Sequence, residues 1–204
     1  MNEDRGRPAL ADHRDTETVY QPAEDSRLLA DAIIEHREQG IATDRGERLG
    51  LDVGTGSGYV AHRLASALPV TMVGCDINPV ACLQAWEAGV PVVRCDMFAP
   101  FCAGVFDLVV CNPPYLPTPP EREWDDWMER ALSGGEDGRA VVDPFLEGVS
   151  RVLRPEGEAY LLLSTLTGPA EVREFATSKG LSSEIVAEES HPFEKLLVLR
   201  FWPR

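Results

Sequence analysis

The sequence predicts a doubly wound α/β domain built on a mainly parallel sheet, and three observations predict it. Short apolar runs of strand length alternate with longer helical runs along most of the chain. A glycine-rich turn, Leu51-Asp52-Val53-Gly54-Thr55-Gly56-Ser57-Gly58, joins one such strand to a helical run, as a ligand-cradling turn does. An apolar strand, 106–111, ends abruptly in Asn112-Pro113-Pro114-Tyr115. Two adjacent prolines cannot continue a sheet, so the chain stops and turns there.

The elements follow in order. A helical run over 23–39 precedes a short strand, 48–53, which delivers Asp52 to the glycine turn. The turn opens a helix over 58–67. A second apolar strand, 70–76, ends in Asp76 and feeds a helix over 79–87. A third strand, 91–95, closes at Cys95-Asp96-Met97. Strand 106–111 is followed by a loop to about residue 137, a helix over 138–153 and a strand over 158–164. A helix over 168–179 and a closing hairpin, 182–188 with 195–202, complete the pattern. Residues 1–18 are polar without an apolar period and are expected to be a disordered tail before one domain, 19–204.

The candidate chemistry lies at the carboxyl ends of these strands, where open α/β sheets bind ligands. Asn112 Oδ1 and the Pro113 carbonyl can each accept one N–H of a planar NH2 group on an sp2 carbon, with Tyr115 against its flat face. A carboxylate at Asp76 can accept both hydroxyls of a ribose, and Asp96 is in position to meet an adenine. Taken singly, each acid reads better as a helix cap or loop carboxylate, and the tetrapeptide reads as readily as a proline turn with a capping Asn. Their order and spacing together favour a nucleoside-bearing cofactor beside an amino-group acceptor.

This order of motifs resembles the class I S-adenosylmethionine-dependent methyltransferases. More narrowly it resembles the HemK-type protein-glutamine methyltransferases, in the archaeal and eukaryotic branch that modifies class 1 translation release factors. Val19-Tyr20-Gln21-Pro22-Ala23-Glu24-Asp25-Ser26 is similar to that branch's opening motif. Asn112 to Tyr115 with Thr118-Pro119-Pro120 is similar to its substrate loop. Gly134-Gly135-Glu136-Asp137-Gly138-Arg139 with Asp143 and Phe145 is similar to its glycine-rich segment. The likeness spans residues 19–202. It implies a Rossmann-like sheet of seven strands in the order 3-2-1-4-5-7-6 with the last antiparallel, and no N-terminal helical domain of the bacterial kind.

The resemblance also implies residue roles. Tyr20 and the rest of the opening motif help cover S-adenosylmethionine. Ser26, Asp52 and Gly54, with Gly56 in the same turn, meet its methionine part. Asp76 meets the ribose, Asp96 and Met97 the adenine, and Asn112 borders cofactor and substrate. Asn112, Pro113, Pro114 and Tyr115 hold the substrate, the side-chain amide of a glutamine in the Gly-Gly-Gln loop of a release factor. A small zinc-binding activator protein is implied on the edge strand 90–94, with Phe98, Phe101 and Val105 supplying apolar surface for it. The segment Glu121-Arg122-Glu123-Trp124-Asp125-Asp126-Trp127 departs from the family pattern.

Composition narrows the alternatives. Net charge is −15, with 19 basic residues against 34 acidic ones, and only Lys179 and Lys195 are lysines. An adenine-N6 methyltransferase on DNA or RNA also targets an sp2-bound NH2, but duplex binding wants a basic stripe. Salt-adapted proteins carry surface acid whatever their function, which offers a second explanation of the charge. A SAM-binding scaffold without activity would not need both cofactor acids and a complete tetrapeptide. The five cysteines form no Cys-x-x-Cys pair, so no metal site and reduced, buried thiols in a cytoplasm are expected. No run reaches the roughly 20 apolar residues of a membrane span.

Overall fold

A computed structural model describes residues 19, 24–39, 48–118 and 133–204. The expected tail, Tyr20, and the aromatic-acidic segment 121–127 lie outside the described residues. Seven strands form one sheet: β1 (Arg48–Val53), β2 (Val70–Asp76), β3 (Val92–Arg94), β4 (Phe106–Cys111), β5 (Leu153–Ser164), β6 (Leu181–Ser190) and β7 (Lys195–Pro203). Their spatial order is 3-2-1-4-5-7-6. Strands β1 to β5 pair in parallel, and β7 runs antiparallel between β5 and β6. The helices are α1 (Glu24–Gln39), α2 (Tyr59–Ala67), α3 (Pro79–Glu87), α4 (Val142–Val152) and α5 (Pro169–Ser178).

Side-chain alternation along the central strands feeds two cores, one on each face of the sheet. Along β4, Leu108 and Val110 join Leu29, Ile33, Leu64 and Ala85 under α1, α2 and α3. Their neighbours Phe106, Val109 and Cys111 join Phe145, Val149 and Val172 under α4 and α5. Both faces of β4 are therefore dry, which is why its sequence reads as an unbroken apolar run. Helix α3 starts where chemistry dictates: Asn78 Oδ1 accepts the Val80 amide at 2.9 Å, and Pro79 occupies the first turn.

Two boundaries differ from expectation. The helix expected from residue 138 starts at Val142, because Gly138 adopts φ 76° and the segment before it is spent on turns. Strand β5 starts at Leu153 rather than 158 and is irregular opposite Phe106 and Leu108. There Gly157 approaches so closely that a Cβ would stand 2.8 Å from the Phe106 carbonyl.

Three side chains expected to face a partner are packed instead. Phe98 is buried with its ring 5.6 Å from that of Phe145, Phe101 packs edge-on to Phe106 at 5.3 Å, and Val105 lies against the same core. The exposed apolar groups near the β3 edge are Val93 itself and Ile77, Leu83 and Trp86 on and beside α3. All five cysteines are free thiols. Only Cys75 and Cys111 are buried, whereas Cys102 is exposed, so burial of all the thiols does not hold. Among the described residues no helix is long and apolar enough to cross a membrane.

Candidate active site

A cavity opens at the carboxyl ends of β1, β2, β3 and β4, and the motifs converge on it. Ser26, Asp52, Gly54, Gly56, Asp76, Asp96, Met97, Asn112, Pro113 and Pro114 all line it. Tyr115 does not; its half-buried ring packs into the core beneath α1 and α2. Val19, Asn78 and Val141 line the cavity too. Sequence reasoning gave Asn78 and Val141 no role, whereas the buried Val19 begins the opening motif implied to cover the cofactor.

Asp52 ties β1 to α2. Its Oδ2 accepts the Thr55 hydroxyl at 2.8 Å and the Ala61 amide at 3.2 Å, which pins the glycine turn to the first turn of the helix. Burial pushes its carboxyl up to about 7 against the opposing pull of those two hydrogen bonds. Gly54 has φ 67°, and a Cβ built there meets nothing within 4 Å, so the backbone faces open space.

Asp76 is not the helix cap, since Asn78 takes that position. Its Oδ2 accepts the Gly56 amide at 3.0 Å and its Oδ1 the Asn78 amide at 2.8 Å. Each oxygen keeps a second lone pair, enough for a diol. Burial raises this carboxyl while the backbone amides lower it. Beyond β3, Asp96 is exposed, and Met97 holds φ 46°, the one non-glycine residue with positive φ among those described. The Met97 carbonyl accepts the thiols of Cys75 at 3.7 Å and Cys95 at 3.4 Å, which holds this strained backbone at the cavity wall.

Asn112 sits at the junction of the cavity with α1. Its Nδ2 donates to Ser26 Oγ at 3.2 Å, and Ser26 Oγ donates to Asp25 Oδ1 at 3.3 Å. A carboxylate only accepts, so this chain fixes the direction of both hydrogen bonds and the orientation of the amide. Asn112 Oδ1 is left buried without a partner. A buried acceptor in that state is costly, and a ligand N–H would relieve it.

The glycine-rich segment 133–140 buttresses the tetrapeptide. Gly134 N donates to Leu116 O at 2.9 Å and Thr118 N to Gly135 O at 2.8 Å, closing a clip at the base of the loop between them. A Cβ at Gly138 would stand 2.6 Å from the Tyr115 carbonyl and 2.7 Å from Thr167 Cγ2. Nothing larger fits.

Acids at the ends of β2 and β3, an open glycine backbone at the end of β1 and an unpartnered amide oxygen at the end of β4 fit S-adenosylmethionine next to an amino-group acceptor. The comparisons agree. Residues 51–135 match a family described as a methyltransferase domain. A putative protein N5-glutamine methyltransferase of Methanocaldococcus jannaschii is 33% identical over 190 residues, covering 90% of this chain and 91% of the relative. Methyltransferase HEMK2 of Homo sapiens is 35% identical over 207 residues, covering 96% and 92%. Among solved structures, the E. cuniculi Mtq2-Trm112 complex, described as responsible for methylation of the eRF1 translation termination factor, superposes with TM-score 0.71 at 28% identity over 92% of this chain and 99% of that one. The chain belongs to the S-adenosylmethionine-dependent protein N5-glutamine methyltransferases.

Proposed function

We propose that the chain methylates the side-chain amide nitrogen of a glutamine in a class 1 translation release factor. The observation that carries this reading is Asn112 Oδ1, buried, unpartnered and held in one orientation by Ser26 and Asp25. When bound, S-adenosylmethionine supplies an activated methyl group as the electrophile. An amide nitrogen is a poor nucleophile because its lone pair is conjugated with the carbonyl. Asn112 Oδ1 and the Pro113 carbonyl accept its two N–H bonds, which raises electron density on nitrogen and fixes its approach. The same acceptors stabilise the positive charge that grows there, and the alignment itself removes an entropic barrier. Once methylated, the nitrogen sheds a proton readily, so no dedicated base is assigned.

A partner on the sheet edge belongs to the same reading. Strand β3 pairs with β2 on one side and bears the exposed Val93, with Trp86 and Leu83 standing out on the neighbouring α3. A small zinc-binding activator that adds a strand there would cover all three. The acid excess fits a salt-rich archaeal cytoplasm, where release factors are also found.

Incubating the chain with methyl-labelled donor and a release factor, followed by mass spectrometry of the product, tests the reading. Label on the amide of one glutamine is expected. Label on lysine, or on an added oligonucleotide instead of the protein, would overturn it.

A further inference from the structure

The donor cavity takes one side of Asn112, so a polypeptide delivering a glutamine must arrive from the other, over Tyr115. The surface there is unusually apolar for so acidic a chain. Leu116 is 40% exposed, Leu166 52% and Phe193 94%. Three separate segments present them, and the fold joins those segments. Gly138 wedges between the Tyr115 carbonyl and Thr167, which places the loop after β4 against the turn Thr165–Thr167. Lys195 N donates to Thr165 Oγ1 at 3.0 Å, and the Glu194 carboxylate accepts the Ser164 hydroxyl, which fastens the β6–β7 hairpin tip to the same turn.

Charge marks one side of this rim. Glu24 and Asp25 open α1, and ligand atoms of Glu24, Glu189 and His191 lie within 4.8 Å of one another. Both Asp25 and Glu194 are near enough to Tyr115 to help burial hold its hydroxyl protonated. Nearby, the Lys195 ammonium sits on Glu188 at 3.1 Å, and the His191 ring stands 3.0 Å from the Glu189 carboxylate.

We propose that this rim docks the glutamine-bearing segment of the protein substrate, with Phe193 as an apolar anchor and Glu24 and Glu189 receiving cationic side chains that flank the glutamine. The proposal rests on the glutamine reading above. Continuity with the orphaned Asn112 oxygen fixes where the target side chain ends, and the one-sided acidity selects a basic flank over a neutral one. A lone exposed phenylalanine on a hairpin tip gains from burial only when a partner covers it.

Binding is measured apart from transfer. A fluorescent peptide with a central glutamine and flanking arginines, and its counterpart with flanking serines, are titrated with the full chain saturated in S-adenosylhomocysteine. The arginine peptide is expected to bind the wild-type chain about tenfold more tightly. Phe193→Ser should weaken both peptides about tenfold, the effect of truncating one anchor. Glu189→Lys should erase the preference for arginine and leave the serine peptide unchanged. Both residues are exposed, and melting curves confirm that the variants fold. Absence of binding, equal binding of the two peptides, or affinities indifferent to both substitutions overturns the proposal, even where glutamine is methylated. Phe193-dependent binding of the arginine peptide without any methyl on glutamine supports the rim and overturns the functional reading instead.

Discussion

The two ends of the Asn112 side chain differ: its NH2 donates to Ser26 Oγ, and its buried oxygen has no partner. Asn112→Ala should therefore lower kcat by about 10²–10³, the usual result of deleting one preorganised transition-state partner, while S-adenosylhomocysteine binds within a few-fold of wild type. Calorimetry and a methylation assay on the same variant decide it, and a rate above about a tenth of wild type would sink the assignment. Asp52 makes the opposite kind of prediction. Burial holds its carboxyl at about 7 against an ordinary 3.8, so between those values the free folded chain keeps a proton there that the unfolded chain has lost. Between those values stability falls as pH rises, because the native state binds more protons. If Asp52 holds the methionine ammonium of the donor, it must do so as the carboxylate, so cofactor affinity should fall as pH drops below about 7, with a proton released on binding. Titrations at mildly acid pH in two buffers of different ionisation heat measure that proton. Identical heats, or a pH-independent affinity, would remove Asp52 from the ammonium site.

At the scale of elements, the loop clip and the sheet edge each carry a prediction. Gly138→Ala asks a side chain to fit 2.6 Å from the Tyr115 carbonyl at φ 76°. The tetrapeptide should shift, lowering kcat by at least tenfold while cofactor affinity, set by the ends of β1 and β2, stays near wild type. A variant with full activity would show the clip to be dispensable. Val93→Asp tests the edge: it should abolish co-purification with the activator on size-exclusion chromatography yet leave the melting temperature unchanged, because Val93 is already exposed. Retention of the complex would move the interface elsewhere. The strands β1, β2 and β4 were legible because each is an apolar run stopped by a chemically distinctive residue. Helix α3 was legible because proline starts it. The start of α4 was not, since a positive φ at Gly138 depends on the distant Tyr115 and Thr167. Nor was the fate of Phe98, whose turn reads as surface until Phe145 is found across from it. The tetrapeptide reads as an amino-group site from sequence, but the Asn112–Ser26 hydrogen bond that orients it spans 86 residues of sequence and is visible only in the fold.

Across the whole molecule, the dominant sequence feature that the site does not use is its charge of −15. Local pairing does not remove it. Arg200 bridges Glu158 and Glu184, and Arg63 holds Asp31, but with 34 acids and 19 basic residues most of the excess has no cation to meet. Self-repulsion of that kind disfavours the compact state, and salt relieves it. The screening length shrinks from about 10 Å at 0.1 M to about 3 Å at 1 M, so pairwise repulsion is nearly spent by molar salt. The melting temperature should therefore climb steeply as KCl rises from low concentration to about 1 M. If the chain is adapted to salt rather than merely acidic, it should go on climbing into the multimolar range, where screening has little left to give. A plateau near 1 M would assign the effect to simple screening and remove salt adaptation as the reason for the acids. A melting temperature flat from the start would show that the charges are too dispersed to repel. The acid excess would then count in full as a barrier to nucleic acid, whose phosphates the same carboxylates would repel.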